Sequence, residues 1–208
     1  DQERFVTMKF IAALLSLACS VSAFAPAVKE SVSTALNVDL NSLPGSTMPI
    51  KSFDPLGYSK LGDEAFNWFR ASELKHGRVA MLATTGFLVQ AAGITFPGYL
   101  SKDVTFDSLS GMNPVDQWAA VSDAGKYQIL LAIFVAESYA ELQKPHYMMG
   151  GPTPTLIWPK VDSSGISEEV MKTKQSRELN NGRLAMIAIM SFLSEKAIPG
   201  SVPVLSDI

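Results

Sequence analysis

Cysteine, charge and β-strand patterns are all scarce in this chain. The single cysteine, Cys19, lies in a segment that we expect to be removed, so the mature chain has no predicted disulfide, thiol chemistry or thiolate metal site. Charged residues are only 18% of the chain, and the net charge of −3 gives no electrostatic basis for binding nucleic acid. Runs of alternating polar and apolar residues are missing as well. The sequence therefore predicts an all-α fold of one or two domains.

The N-terminal part of the chain has the pattern of a leader. Residues 1–7 precede Met8, which fits a natural start, and we interpret them as upstream sequence. Residues 8–23 combine a lysine, an uncharged apolar run and small residues before a cleavage point, which is typical of a secretory signal peptide.

A second targeting element follows the signal peptide. The stretch Ala23-Phe24-Ala25-Pro26 resembles the signature of bipartite plastid presequences in algae with red-lineage plastids. We therefore interpret residues 24–40 as a plastid transit segment whose end is approximate. The mature domain is expected over residues 41–208.

An internal repeat dominates the mature domain. Residues 73–88 recur as residues 178–193 at a constant offset (178 − 73 = 105), and nine of the sixteen positions are identical. The identities include Glu, Gly, Arg and Met, which a shared helical period alone does not produce. Two copies are too few for a solenoid and suggest a pair of related helices.

Three long helices are predicted, over residues 63–93, 122–144 and 167–197, with irregular connections between them. Asp63 is expected to cap the first helix. No helix has a convincing uninterrupted hydrophobic span, but lysine and arginine are unevenly placed along the chain. The segments that would lie on one side of a membrane contain Lys51, Lys60, Arg70, Lys75, Arg78, Lys144, Lys160, Lys172, Lys174, Arg177 and Arg183. The segments that would lie on the other side contain only Lys102, Lys126 and Lys196. This asymmetry predicts three transmembrane helices with the N-terminus on the positive side.

The charges of the repeat need partners inside a membrane. Within one helix the glutamate and the arginine are five residues apart, whereas side chains that contact each other on a helix are three or four residues apart. The two charges of one repeat therefore point in different directions and do not pair well with each other. If the first and third helices cross about a pseudo-two-fold axis, Glu73 can pair with Arg183, and Glu178 with Arg78. A glycine in each repeat lies between the charges and permits the close approach of two membrane helices.

The repeat also predicts ligands for a hard cation. Each carboxylate can give one oxygen to an arginine and leave the other for magnesium. His76 and Asn181 lie one turn beyond Glu73 and Glu178, and both offer a lone pair. The four ligands do not converge as in a metal cage, so they suit four planar pigments that each carry their own magnesium.

The two motifs, Glu-x-x-His-Gly-Arg-x-Ala-Met and Glu-x-x-Asn-Gly-Arg-Leu-Ala-Met, resemble the first and third membrane helices of the light-harvesting chlorophyll-binding superfamily. With the presequence, the chain is most similar to the fucoxanthin–chlorophyll a/c proteins of diatoms and related algae. This resemblance implies that Glu73, His76, Glu178 and Asn181 ligate chlorophyll magnesium. It implies that Arg78 and Arg183 form the inter-helix ion pairs.

The resemblance also implies further pigment contacts. The turn at Asp54, Pro55 and Leu56, followed by glycine, matches the end of a central carotenoid. Gln128 and Glu137 are candidate ligands on the middle helix, although they are nine residues apart, one more than in green-plant proteins. Glu195 stands where those proteins have a glutamine ligand.

The implied function is an antenna that carries chlorophyll a, chlorophyll c and fucoxanthin, with diadinoxanthin as a further candidate, and that catalyses no reaction. The expected location is the thylakoid membrane, with a stromal N-terminus and a lumenal C-terminus. The implied partners are a photosystem core, neighbouring antenna subunits in homo- or hetero-oligomers, and thylakoid lipids. Three alternatives stay open: a photoprotective relative that dissipates excitation, a pigment-free membrane transporter and a soluble helical module.

Overall fold

A computed structural model describes residues 40–48, 51, 53–101, 104–154 and 165–202. The predicted signal peptide, and all of the predicted transit segment except its last residue, lie outside these described residues.

Four α-helices make up most of the described chain: α1 at Asp63–Ala91, α2 at Pro114–Ala120, α3 at Asp123–Glu141 and α4 at Glu168–Ala197. Short 3-10 turns lie in the connections at Leu40–Ser42, Tyr58–Lys60, Asp107–Leu109 and Tyr147–Met149. Extended pairing in the described part of the chain is limited to one isolated bridge. There, the chain is helical, as the sequence predicts.

The three long helices lie close to their predicted positions. α1 was expected over 63–93, and its N-cap is Gly62 rather than Asp63, because Asp63 is already helical and contributes a first-turn carboxylate. Ser122 caps α3 by accepting a hydrogen bond from the Gly125 backbone N–H at 3.4 Å. α4 begins after Ser167, whose side chain makes no capping bond.

The helix α2 was missed by the sequence analysis, which treats residues 95–122 as irregular. Asn113 caps this helix by accepting from the Val115 backbone N–H at 3.1 Å, and Pro114 occupies its first turn. Asparagine followed by proline is a recognised helix start, because proline lacks the N–H that the first turn leaves unpaired. The signal was therefore present in the sequence.

The interior of the described chain is the crossing of α1 and α4. Its buried residues are small or aliphatic: Ala71, Gly77, Ala80, Leu179, Gly182 and Ala185. Gly77 and Gly182 are equivalent positions of the repeat, and so are Ala80 and Ala185. Near their C-terminal ends the two helices are joined by the stacked rings of Phe87 and Phe192, 4.8 Å apart. Small residues permit close backbone approach, so the repeat motif lies at the point of closest packing.

The helix α3 contributes no buried residue. Its large apolar side chains are open, with Leu131 63% and Phe134 67% exposed. Among the described residues no helix is by itself both long and apolar enough to cross a membrane; α2 and α3 meet that requirement only together, and they are bent by 108°.

Candidate functional site

Two reciprocal ion pairs connect α1 and α4. Arg78 Nε donates to Glu178 Oε1 at 2.6 Å, and Arg183 Nε donates to Glu73 Oε1 at 2.7 Å. Both pairings agree with the prediction made from the repeat. All four side chains are only partly exposed, between 20% and 44%. The pairs therefore fix which faces of the two helices meet.

Each arginine also binds the backbone of a connection. Arg183 Nη1 donates to the Gly45 carbonyl at 2.9 Å, and Arg78 Nη1 donates to the Pro154 carbonyl at 2.6 Å. The segment around Gly45 precedes α1 yet rests on α4, and the segment at Pro154 precedes α4 yet rests on α1. These loop contacts could not be read from the motif, because no local pattern marks the accepting carbonyls.

The second oxygen of each glutamate is left open. Arginine Nε is bound by Oε1 of both Glu73 and Glu178, and no hydrogen bond to either Oε2 is found within the described ranges. A carboxylate held by one oxygen is oriented, and its free oxygen is a suitable ligand for a hard cation. One oxygen of each carboxylate is therefore taken by an arginine, as predicted, and ligation of magnesium by the other oxygen stays a prediction.

His76 is exposed and has one ring nitrogen without a hydrogen-bond partner among the described residues, and its role as a ligand stays a prediction. Its ring is exposed, and Nδ1 lies 2.8 Å from the Ser72 carbonyl oxygen. Because a carbonyl can only accept, Nδ1 carries the hydrogen, and in the neutral imidazole the lone pair is on Nε2. Metal-binding histidines are commonly oriented by such a bond. Nε2 has no hydrogen-bond partner within the described ranges.

Asn181 has the equivalent position on α4. Its side chain is exposed and makes no hydrogen bond to any described residue. The neighbouring Asn180 is occupied instead: its amide donates to Thr47 Oγ1 at 3.2 Å, and its oxygen accepts from Arg183 at 3.3 Å. Of the two adjacent asparagines, Asn181 is thus the one available to an external group.

The candidate ligands on α3 differ from each other. Gln128 is exposed and has no hydrogen bond to the described residues. Glu137 accepts from Lys75 Nζ at 2.8 Å, and Glu141, one turn later, accepts from the same ammonium at 2.6 Å. Lys75 therefore ties α3 to α1, a role that the sequence analysis missed although the two acids have helical i, i+4 spacing. Pigment ligation by Gln128 and Glu137 stays a prediction.

Glu195 has an additional structural role. One carboxylate oxygen accepts from the Gly200 backbone N–H at 2.6 Å, and the other accepts from the Val202 backbone N–H at 2.7 Å and from Ser201 Oγ at 3.3 Å. These bonds fold the segment after α4 back onto the last turn of the helix. Ligation by Glu195 stays a prediction, and it would compete with these bonds.

The Asp54 turn is well formed. The Gly57 N–H donates to the Asp54 carbonyl at 3.3 Å, and Gly57 has a positive φ of 71°. The Asp54 carboxylate accepts from the Tyr58 N–H and from the N–H and hydroxyl of Ser59, at 2.6 to 2.9 Å. The hydroxyl and the N–H of Ser59 hold the pKa of Asp54 below its usual value of 3.8. Pro55 and Leu56 form the corner, and Leu56 is 72% exposed.

The donor set suits separated chlorophylls better than a bare metal ion. Among the described residues no cluster of three or more His, Cys, Asp or Glu could hold a metal together. The free donors are instead single atoms of N or O type on the outer faces of two crossed helices. Each would supply one ligand to the magnesium of a chlorophyll, whose remaining ligands come from the pigment itself. The residues present therefore fit chlorophyll.

Comparison with known proteins gives one consistent result. A family described as chlorophyll A-B binding protein matches residues 39–197. A fucoxanthin-chlorophyll a-c binding protein of Chattonella marina var. antiqua is 38% identical over 192 residues, which cover 87% of this chain and 84% of that protein. One from Trieres chinensis is 34% identical over 210 residues, which cover 95% of this chain and 98% of that protein. The fucoxanthin-chlorophyll a-c binding protein F of Phaeodactylum tricornutum is 36% identical over 199 residues, which cover 89% of this chain and 94% of that protein. All three relatives carry the description chloroplastic.

Proposed function

The chain belongs to the chlorophyll A-B binding protein family, and from that premise we propose that it is a plastid light-harvesting antenna protein. It holds chlorophyll a, chlorophyll c and fucoxanthin, absorbs light, and passes the excitation towards a photosystem through neighbouring antenna subunits. The pigments carry out the photophysics, and the protein sets their positions and local polarity. No catalytic step is assigned to it.

One observation carries this proposal: four separated side chains of the two repeats each keep a free ligand atom, two of them on glutamates that the reciprocal ion pairs hold by one oxygen. Glu73 and Glu178 keep Oε2, while His76 and Asn181 are exposed on the outer faces of the same helices. We assign one chlorophyll magnesium to each of these four side chains. A protein that used the charges only for packing would not need an oriented, open histidine one turn after a paired glutamate.

The proposed setting is the thylakoid membrane, crossed by α1, α3 and α4 with a stromal N-terminus. The inter-helix salt bridges support this arrangement. Lys75 meets Glu137 and Glu141 on the proposed stromal side, and Lys196 meets Asp116 at 2.6 Å on the proposed lumenal side. The exposed apolar surface of α3 is then in contact with lipid and pigment. A pseudo-two-fold axis through the α1–α4 crossing belongs to the same proposal.

Pigment analysis of the detergent-purified protein tests the function. We expect chlorophyll a, chlorophyll c and fucoxanthin in fixed ratios that survive size-exclusion chromatography, with diadinoxanthin as an additional carotenoid. A folded, monodisperse protein that carries no pigment would contradict the antenna function.

A further inference from the structure

Arg70 is a half-buried cation on α1 whose N–H donors are unused. Its guanidinium forms no hydrogen bond and no close ion pair with the described residues; Glu73 attracts it and Arg183 repels it through space, and Cζ lies 5.8 Å from the centroid of the Phe66 ring. Glu73, one turn later, is already bound to Arg183 through Oε1. The cation–π contact leaves the planar row of N–H donors of Arg70 unused. A ligand oxyanion would satisfy them.

The side chain of Arg70 faces a cavity of about 440 Å³ at the start of α1. Leu43, Phe66, Met148 and Met149 give this cavity apolar walls. Asp63 and Glu64 also line it and oppose the entry of any anion, so a negative group can be held only where it contacts Arg70 itself. The cavity is therefore suited to a largely apolar body whose one negative group lies against Arg70.

Chlorophyll c has this chemistry. Its macrocycle keeps a free carboxylic acid, whereas the corresponding acid of chlorophyll a is esterified with phytol. Arginine binds a carboxylate through two parallel N–H donors, and a neutral ester cannot replace that charge-assisted contact. Residues three apart on a helix share a face and are separated by about 4.5 Å along the axis, so Arg70 and Glu73 lie on the same face of α1.

We propose that Arg70 binds the free carboxylate of a chlorophyll c, and that this contact makes the cavity at the start of α1 selective for chlorophyll c over chlorophyll a. The inference rests on the proposed antenna function and goes beyond it by assigning one pigment type to one place.

The test is reconstitution of the full chain with chlorophyll a, fucoxanthin and either chlorophyll c or its methyl ester. The wild-type chain is expected to prefer the free acid by about tenfold or more, the usual effect of losing a hydrogen bond to a charged group. Arg70→Leu is expected to abolish this preference and to lose one chlorophyll c per chain. Arg70→Lys keeps the charge and should retain part of the preference. Arg177→Leu, an exposed arginine on α4, is the matched control and should behave as wild type.

The outcomes separate this inference from the antenna function. Equal uptake of the free acid and the ester by the wild-type chain would overturn the Arg70 assignment, and that comparison needs no variant to fold. Loss of a bound anionic lipid from Arg70→Leu, with chlorophyll c unchanged, would assign the cavity to a lipid headgroup and would also overturn it. A wild-type chain that takes up no pigment contradicts the antenna function itself.

Discussion

The backbone of Gly182 lies directly against that of Gly77 where α1 and α4 cross. A Cβ built on Gly182 would lie 2.8 Å from the Gly77 Cα, and one built on Gly77 would lie 3.1 Å from the Gly182 Cα. The two glycines are equivalent positions of the repeat, 105 residues apart. This contact brings the helices close enough for each glutamate to reach the arginine of the other helix.

Gly182→Ala should therefore separate the two helices. The new methyl group meets backbone, which cannot move aside as a flexible side chain can, and overpacking of this kind costs about 1–3 kcal/mol. For a chain of this size, each kcal/mol lowers the thermal midpoint by about 2–4 °C. The thermal loss of pigment circular dichroism in detergent measures the change.

Gly86→Ala is the matched control for that substitution. Gly86, like Gly182, is a glycine inside a helix, in this case α1, but a Cβ built there would meet nothing within 4 Å. Alanine favours the helix by up to about 1 kcal/mol, so this variant should be at least as stable as wild type. Equal midpoints for the two variants would show that the glycine contact does not limit helix packing.

The two ion pairs should differ in strength. Arg78 and Glu178 are 20% and 32% exposed, whereas Arg183 and Glu73 are 44% and 34% exposed. Removing one partner leaves the other charge unpaired, and the free-energy penalty grows with the burial of that remaining charge. Glu178→Gln, which leaves the more buried Arg78 unpaired, is thus expected to lower the thermal midpoint more than Glu73→Gln, which leaves Arg183 unpaired.

A double variant tests whether the second pair acts as a unit. Arg183→Leu combined with Glu73→Gln should cost less than the sum of the two single variants, because neither then leaves a stranded charge. Arg177→Leu serves as the control for loss of an arginine from α4. Strictly additive effects would mean that the Glu73–Arg183 contact contributes nothing of its own.

His76→Gly is expected to remove about one chlorophyll per chain, because it deletes the only imidazole with a free Nε2 on α1 of the described structure. Added imidazole should restore that chlorophyll by occupying the space left by the side chain. Asn181→Ala should remove a different chlorophyll, so the double variant should lose both. Pigment stoichiometry by chromatography gives the counts.

His146→Ala is the control for the histidine variant. His146 lies outside the long helices, and its Nε2 is bound to Glu141 at 3.0 Å. Its loss should leave the chlorophyll count unchanged. If His76→Gly also keeps every chlorophyll, the proposed ligand is wrong.

Asp54→Ala should loosen the turn before α1. The amides of Tyr58 and Ser59 lose their acceptor, so their hydrogen exchange should accelerate, while Asp107→Ala should leave it unchanged. Because the pKa of Asp54 is lowered in the folded protein, its contribution is fully present above pH 3.8 and is lost only as the pH falls through the lower folded value. Unchanged exchange of these amides at neutral pH would show that the carboxylate does not hold the turn.

The sequence allowed the ion pairs to be predicted because a repeated motif restricts its own partners. Glu73 and Arg78 cannot satisfy each other at a spacing of five residues, so the second copy was the natural source of partners. The same reasoning identified His76 and Asn181 as open positions. Of the capping residues expected for the long helices only Ser122 makes a capping bond, so the extents of these helices were predictable mainly from the prolines and glycines that follow them.

Contacts that the repeated motif makes with other parts of the chain were beyond sequence reasoning. Nothing local marks the Gly45 carbonyl as an acceptor for Arg183, or Lys75 as the group that holds Glu137 and Glu141. The hydrogen bonds from the Gly200 and Val202 N–H groups to Glu195 depend on a reversal of the chain after α4, and no motif specifies that reversal. By contrast, the sequence analysis missed α2, although Asn113 followed by Pro114 is a local pattern that indicates the start of a helix.

The central claim is that this chain positions pigments so that excitation passes between them. The most direct test is the fluorescence excitation spectrum of the detergent-solubilised native protein, recorded at chlorophyll a emission. We predict that the fucoxanthin and chlorophyll c absorption bands both appear in it, with emission that is not strongly shortened in lifetime. Bound pigments whose bands are absent from the excitation spectrum would contradict the antenna function. A strongly shortened lifetime would contradict it in favour of a dissipative protein.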